Sequence, residues 1–261
     1  MKKILSLILA LTTVAGFMTG CGEKADQTSD YDYVKGNGKL TIGYTTYAPM
    51  NYEDKETGEF TGFDTEFAKA VCKKLGVEAN FVEIDWDNKF PALESKSIDC
   101  IWNGMTITDE VKKNSSYTNA YVKNAQVVVM KKDAVDKYKK ADDMKDLKFA
   151  AEAGSAGAKA IEEAGIENLT EVGAQSDALL EVESGSADAC VIDITMANAM
   201  TGEGTSYADL AKGIELTSEE YGISFRKGSD ITEKVNNIMI ELKEDGTLPA
   251  LAEKYSLTLA F

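Results

Sequence analysis

A chain of 261 residues, 44% hydrophobic and 28% charged, has ordinary globular composition and enough length for two modest α/β lobes. Its formal net charge of −16 excludes a nucleic-acid binder, which needs a basic stripe, and disfavours adhesion to anionic lipid headgroups. The sequence has no histidine, which removes any Ser–His pair and any histidine metal ligand.

The first stretch is unlike the rest. Lys2 and Lys3 give a basic start, residues 4–17 form a nearly unbroken apolar run, and small residues follow. The run is shorter than the ~20 residues of a membrane span, so 1–20 reads as a secretory signal and is set aside from the fold. Met18-Thr19-Gly20-Cys21 resembles the bacterial lipobox, which makes Cys21 the expected site of lipidation, by palmitate-like acyl chains, and the membrane anchor. Residues 21–37 are polar, lack apolar periodicity and read as a tether, with order expected from about residue 39. Loss of the signal removes Lys2 and Lys3, leaving 26 basic and 44 acidic residues, a net of −18.

Past the tether, 39–44 (KLTIGY) alternates and reads as a strand. The stretch 64–75 reads as a helix: Phe63, Phe67, Val71 and Leu75 recur every fourth residue, Asp64 can cap it and Gly76 ends it. A strand over 77–84 and a short helix over 88–95 follow, with Pro91 tolerable only in the first turn. Residues 98–103 read as a buried strand, and Thr108 as the N-cap of a helix to about 114. The alternation continues with strands over 125–131 and 147–152, a helix over 155–164, a strand over 169–172, a helix over 177–183 and a strand over 187–192. A strand over 221–226, an amphipathic helix over 231–245 and a helical stretch over 248–255 complete the chain. Such alternation gives an α/β class with mainly parallel sheets. Cys72, Cys100 and Cys190 show no zinc-type spacing and read as buried thiols. A Cys100–Cys190 disulfide is open to an exported chain, but nothing selects it.

Six stretches stand in order along the chain: Ile42-Gly43-Tyr44-Thr45-Thr46-Tyr47-Ala48-Pro49, Gly62-Phe63-Asp64, Asn103-Gly104-Met105-Thr106-Ile107-Thr108, Ala153-Gly154-Ser155, Ala187-Asp188-Ala189-Cys190-Val191-Ile192-Asp193 and Phe225-Arg226-Lys227-Gly228. Each alone is weak. In this order and spacing they resemble the polar amino-acid family of extracytoplasmic solute-binding proteins of ABC transporters. The resemblance implies a two-lobed, periplasmic-binding-protein-like fold of type II, closing about a hinge. Lobe 1 would take 38–122 and 219–261, and lobe 2 would take 123–218. It further implies a monomer on the extracytoplasmic face of the membrane, a small-molecule amino acid or related amine as cargo, and permease and ATPase partners on separate chains. No cofactor, no metal and no catalysis are expected.

Carried over residue by residue, Asp193 accepts the ligand's ammonium group, although an aspartate there also suits the N-cap of a following helix. Ser155 and Ala156 begin a helix whose free N–H groups suit an anion; family members often carry a second hydroxyl where Ala156 stands. Tyr47 and Trp86 match aromatic walls, and Tyr44, in the same first loop, reads equally as a core aromatic. Asn103, Gly104, Met105 and Thr106 match site positions, with a backbone carbonyl from Gly104 and a hydroxyl from Thr106. Met50 and Met105 suit either pocket or core. Glu152 falls near the rim and reads first as solvated surface.

One departure matters most. The family's arginine, which grips the α-carboxylate with two parallel bonds, has its place taken by Val111, and an apolar side chain cannot replace that fork. Lys112 is the next cation, ~100° round the helix and directed to solvent. Two cargo classes follow: an amino acid held by Thr106, Ser155 and backbone donors, or an amine or carboxylate-masked derivative suited to Asp193 and aromatic walls. A sensor not coupled to import fits the sequence as well as a transporter component does. An enzyme is the rival class, but no phosphate loop or dinucleotide fingerprint appears.

Overall fold

A computed structural model of the protein describes residues 29–261; the expected signal segment and Cys21 lie outside the described residues. Helix α1 (Asp30–Asn37) comes first, capped by the Ser29 hydroxyl, which accepts from the Asp32 N–H. Order therefore starts before residue 39, and the reason is charge rather than apolar periodicity. The Arg226 guanidinium donates to both carboxylate oxygens of Asp30 at 3.1 and 3.0 Å, and the Ser29 hydroxyl donates to Asp230 at 2.6 Å. Val34 is the one buried residue of α1.

Strand β1 (Lys39–Tyr44) sits inside the first sheet, with Leu40 and Ile42 wholly buried. A small hairpin, β2 (Tyr52–Glu53) and β3 (Phe60–Thr61), leads into α2 (Phe63–Leu75). The four-residue spacing holds: Phe63, Phe67, Val71 and Leu75 all face the core. Asp64 does not cap α2. It is wholly buried and accepts from the Gly104 N–H at 2.6 Å and the Tyr121 hydroxyl at 2.9 Å.

Strand β4 (Glu78–Glu83), a 3-10 turn (Trp86–Asn88), α3 (Lys89–Glu94), β5 (Cys100–Ile101), α4 (Asp109–Asn114) and β6 (Ser116–Tyr117) follow. β5 is shorter than its apolar run because the chain leaves the sheet at Trp102 and turns at Gly104, whose φ is +56°. A Cβ there would stand 2.7 Å from Tyr47 Cε1, so only glycine fits this turn.

The chain then crosses on β7 (Val122–Asn124) and builds β8 (Gln126–Lys131), α5 (Lys132–Val135), β9 (Phe149–Glu152), α6 (Ala156–Glu163), β10 (Leu169–Val172), α7 (Gln175–Ser184), β11 (Ala189–Asp193), α8 (Ile194–Met200) and β12 (Leu210–Glu215). It returns on β13 (Glu219–Tyr221), antiparallel to β7, and ends with β14 (Ser224–Phe225), α9 (Ile231–Glu244) and α10 (Thr247–Lys254).

The first sheet runs β4-β1-β5-β14-β6 and the second β10-β9-β11-β8-β12. Both are mixed. β1 is parallel to β4 and β5, and β9 is parallel to β10 and β11. β14 and β8 run against their neighbours because each enters its sheet straight from the crossing segments, without a helical return. Cys100 lies on β5 and Cys190 on β11, in different sheets, and with Cys72 they are free and buried. Burial pushes the Cys72 thiol up to about 12. Among the described residues no helix is long and apolar enough to cross a membrane.

Candidate functional site

In open α/β sheets ligands sit beyond the carboxyl ends of the strands, and here two such ends face each other. The loop after β5, the turn before α3 and the start of α4 form one wall; the ends of β9 and β11 and the starts of α6 and α7 form the other. Between them lies a cleft of about 790 Å³.

Of the expected residues, Trp86, Asn103, Gly104, Met105, Thr106, Val111, Glu152, Ser155, Ala156 and Asp193 line this cleft. Tyr44 and Tyr47 do not. The Tyr44 ring packs on Phe60 at 4.9 Å and edge-on to Phe81, on the outer side of β1. Tyr47 is buried beneath Gly104, and its hydroxyl is bonded to Thr195 across the lobes and to Tyr221 at 2.6 Å. Met50 is core. Apolar residues at the C-terminal ends of strands suit both core and cleft, so spacing alone did not separate them.

Asn103 has no capacity to spare. Its oxygen accepts from the Thr45 N–H and hydroxyl at 3.1 and 3.0 Å, and its amide donates to the Thr45 carbonyl at 2.9 Å and to Asn51 at 2.7 Å. That is a full set for an amide side chain, so Asn103 braces the loop. The Thr106 hydroxyl donates to Glu219 at 2.6 Å, which removes it as the carboxylate donor it was expected to be. Ser155 caps α6, accepting from the Ala158 N–H at 3.1 Å, and keeps its own O–H free. α6 seats closely on β11 through Gly157, where a Cβ would stand 2.8 Å from the Val191 carbonyl oxygen.

Asp193 ends β11. It stands at the N-cap position of α8 but makes no cap bond. One oxygen accepts from Gln126 at 2.9 Å and from Asn124, and the other accepts from Gln175; its own N–H donates to Gln175 at 2.9 Å. Burial first, then the nearby Glu219 charge, raise it to about 7, against Gln175, the Tyr221 hydroxyl and Asn124. Glu152 is not solvated surface: it is 3% exposed. It lies at the end of β9, beside β11, and accepts from the Thr45 hydroxyl at 3.2 Å. Burial and then the Asp193 charge push it up to about 8.

Sequence reasoning missed the hinge donors Asn124 and Gln126, the amide of Gln175 and, above all, Lys89. Lys89 is 5% exposed, with its ammonium 5.3 Å from the Trp86 ring centre and 5.2 Å from that of Phe90. It donates to the Trp86 carbonyl at 3.2 Å and, across the cleft, to the Gly154 carbonyl at 2.9 Å. Desolvation lowers its pKa, opposed by Glu110, Asp87, Glu152 and Asp85 in that order. A signal was available: Lys89 follows Trp86 by three residues, and one turn of helix puts them on one face. Among the described residues no three His, Cys, Asp or Glu are placed to hold a metal ion.

The family model for bacterial extracellular solute-binding proteins, family 3, matches residues 40–258. The L-cystine-binding protein TcyA of Bacillus subtilis is 32% identical over 266 residues, covering 98% of this chain and 97% of that one. A variant of ArgBP from T. maritima superposes with a TM-score of 0.80 at 33% identity, covering 87% of this chain and 98% of that one. The ancestral amino acid-binding protein AncCDT-1, a precursor of cyclohexadienyl dehydratase, superposes with a TM-score of 0.79 at 35% identity, over 87% and 99% of the two chains.

Proposed function

This chain belongs to the bacterial extracellular solute-binding proteins of family 3, and we propose that its cleft captures a free amino acid and hands it to an ABC importer. The observation that carries the reading is Asp193. Its carboxylate is buried at the end of β11, and three amide side chains use three of its roughly four lone-pair positions. A ligand ammonium group supplies the remaining donor and a compensating charge. Such a charge-assisted bond contributes about 1.5–3 kcal/mol.

Trp86, Met105 and Val111 offer the apolar wall for a side chain. Glu152 adds a second buried acceptor, which suits side chains that donate hydrogen bonds or carry positive charge. The names of the relatives, for cystine and for arginine, agree with a polar or basic cargo. The importer's permease and ATPase are separate chains. Residues 1–20 and Cys21 support export and a lipid anchor on the outer face of the cell membrane, and one chain with a complete cleft supports a monomer. Catalysis is not part of the reading: the dehydratase precursor is itself described as an amino acid-binding protein.

Titration calorimetry on the purified protein, unfolded and refolded to strip carried solute, tests the proposal. Saturable one-to-one binding of at least one amino acid from a panel that includes L-cystine, L-arginine and L-glutamine is expected. Silence across the panel would sink it.

A further inference from the structure

The cleft described above has a buried acceptor for an ammonium group, but of the expected carboxylate donors it keeps only the neutral Ser155 hydroxyl. Val111 is apolar, and the Thr106 hydroxyl is spent on Glu219. We propose that Lys89 is the carboxylate clamp: its ammonium group, carried on α3, binds the α-carboxylate of the cargo while its bond to Gly154 ties the two walls of the cleft together. The proposal rests on the amino-acid reading and names the residue that sets its specificity.

Three observations carry it. An ammonium group has three N–H donors, and among the described residues the structure supplies two acceptors, the carbonyls of Trp86 and Gly154. The third N–H belongs to a side chain that lines the cleft and is 5% exposed. A buried donor left unmade is costly.

The second observation is the missing counterion. None of the ion pairs among the described residues includes Lys89. A buried charge is retained only where a partner compensates it. Carbonyls and the faces of Trp86 and Phe90 hold the stem and share the charge, but they do not neutralise it. A ligand carboxylate does. The other lysine at the cleft, Lys159, is half exposed and already faces Glu163 at 3.6 Å, so it belongs to the surface.

Position is the third. The ammonium lies against the Trp86 ring, and Trp86 and Val111 belong to one apolar cluster. Lys89, Trp86 and Val111 line the same wall. The cation is thus present in the corner from which Val111 withdrew it, delivered from α3 instead of α4. A cargo without a carboxylate would leave Lys89 uncompensated, so an amine or a masked derivative is the poorer fit.

The test compares matched pairs that differ only in the carboxylate: L-arginine with agmatine, L-cystine with cystamine and L-histidine with histamine. Calorimetric affinities are measured for the wild type, Lys89→Met and Lys89→Arg, each melted first to verify folding. The wild type is expected to prefer the amino acid of at least one pair. Lys89→Met should then lose about 10–150-fold for that amino acid and stay within about threefold for its amine, while Lys89→Arg retains the preference.

Equal losses for both members of the pair, or no loss, in a folded Lys89→Met would overturn the clamp and leave the amino-acid reading standing. A wild type that binds only amines overturns both. A readout free of the methionine variant is the side-chain ammonium resonance of Lys89 in the wild type, assigned by its loss in Lys89→Arg. It should shift with the preferred amino acid and not with its amine. A resonance that ignores both, or moves equally with both, overturns the clamp.

Discussion

Two cations of the first lobe, one buried and one largely so, at opposite ends of one sheet, are treated in opposite ways. At the base, Arg226 faces the carboxylates of Asp30 and Asp99 at 3.0 and 3.1 Å and the Ile98 carbonyl at 2.8 Å. At the cleft, Lys89 bonds carbonyls and lies against aromatic faces, and among the described residues no carboxylate is in ion-pair contact with it. The facing wall mirrors this imbalance, with Glu152 and Asp193 buried and, among the described residues, no lysine or arginine bonded to either. A closed set of charges is a fastener. An open set is a receptacle, and here its two open halves lie on two walls. On the proposed reading a zwitterion completes both halves, across a cleft whose walls are already joined by Lys89 to Gly154 and by Thr45 to Glu152.

The comparison breaks first, and hardest, at Arg226. Arg226→Ala strands Asp30 and Asp99 in a largely buried setting, and removing one partner of such a network costs about 3–5 kcal/mol. Urea unfolding should register that loss, while calorimetric affinity for the preferred amino acid stays unchanged. Asp193→Asn should do the reverse. It removes the ammonium acceptor and about 1.5–3 kcal/mol of binding, roughly 10–150-fold in affinity, a loss that calorimetry reads directly.

A pH series sharpens the contrast further. Asp193 and Glu152 stand at about 7 and about 8, against ordinary values of 3.8 and 4.5. The folded state therefore holds protons that the unfolded chain releases. Stability from this source is full below the ordinary values and is lost as pH rises through the folded ones. The melting temperature of the ligand-free protein should fall between about pH 5 and pH 8.5. Asp193→Asn should flatten part of that fall; Glu152 and Asp64, the latter also raised to about 7 by burial, keep the rest. The smallest effect is expected at Glu110, an exposed residue at the cleft mouth. Glu110→Gln should change amino-acid affinity by no more than about threefold, because solvent screens a rim charge.

Legibility in the sequence followed periodicity. α2 was readable because Phe63, Phe67, Val71 and Leu75 keep one face through three turns, and α9 because Val235, Met239 and Leu242 do the same. α1 was not, since its hold on the lobe is an ion pair to a residue 196 positions away, which no local pattern records. The cleft divides in the same manner. The place of Asp193 in the cleft followed from the resemblance, which the apolar strand it ends helps to carry. Glu152 misled because burial at a strand end depends on the opposite wall. Lys89 was not singled out, because its burial depends on the β9–α6 loop, whose Gly154 carbonyl accepts from it across the cleft.

The clasp at the base has a mechanical consequence. Tension applied to the chain at residue 29 meets two bonds in succession, Ser29 to Asp230 and Asp30 to Arg226, before it reaches β1. These bonds join residues 201 and 196 positions apart, so the load passes into the start of α9 and the end of β14 rather than peeling the first strand from its sheet. If the proposed anchor holds the chain ahead of residue 29, a drag on it is absorbed at the foot of the first sheet, away from the cleft.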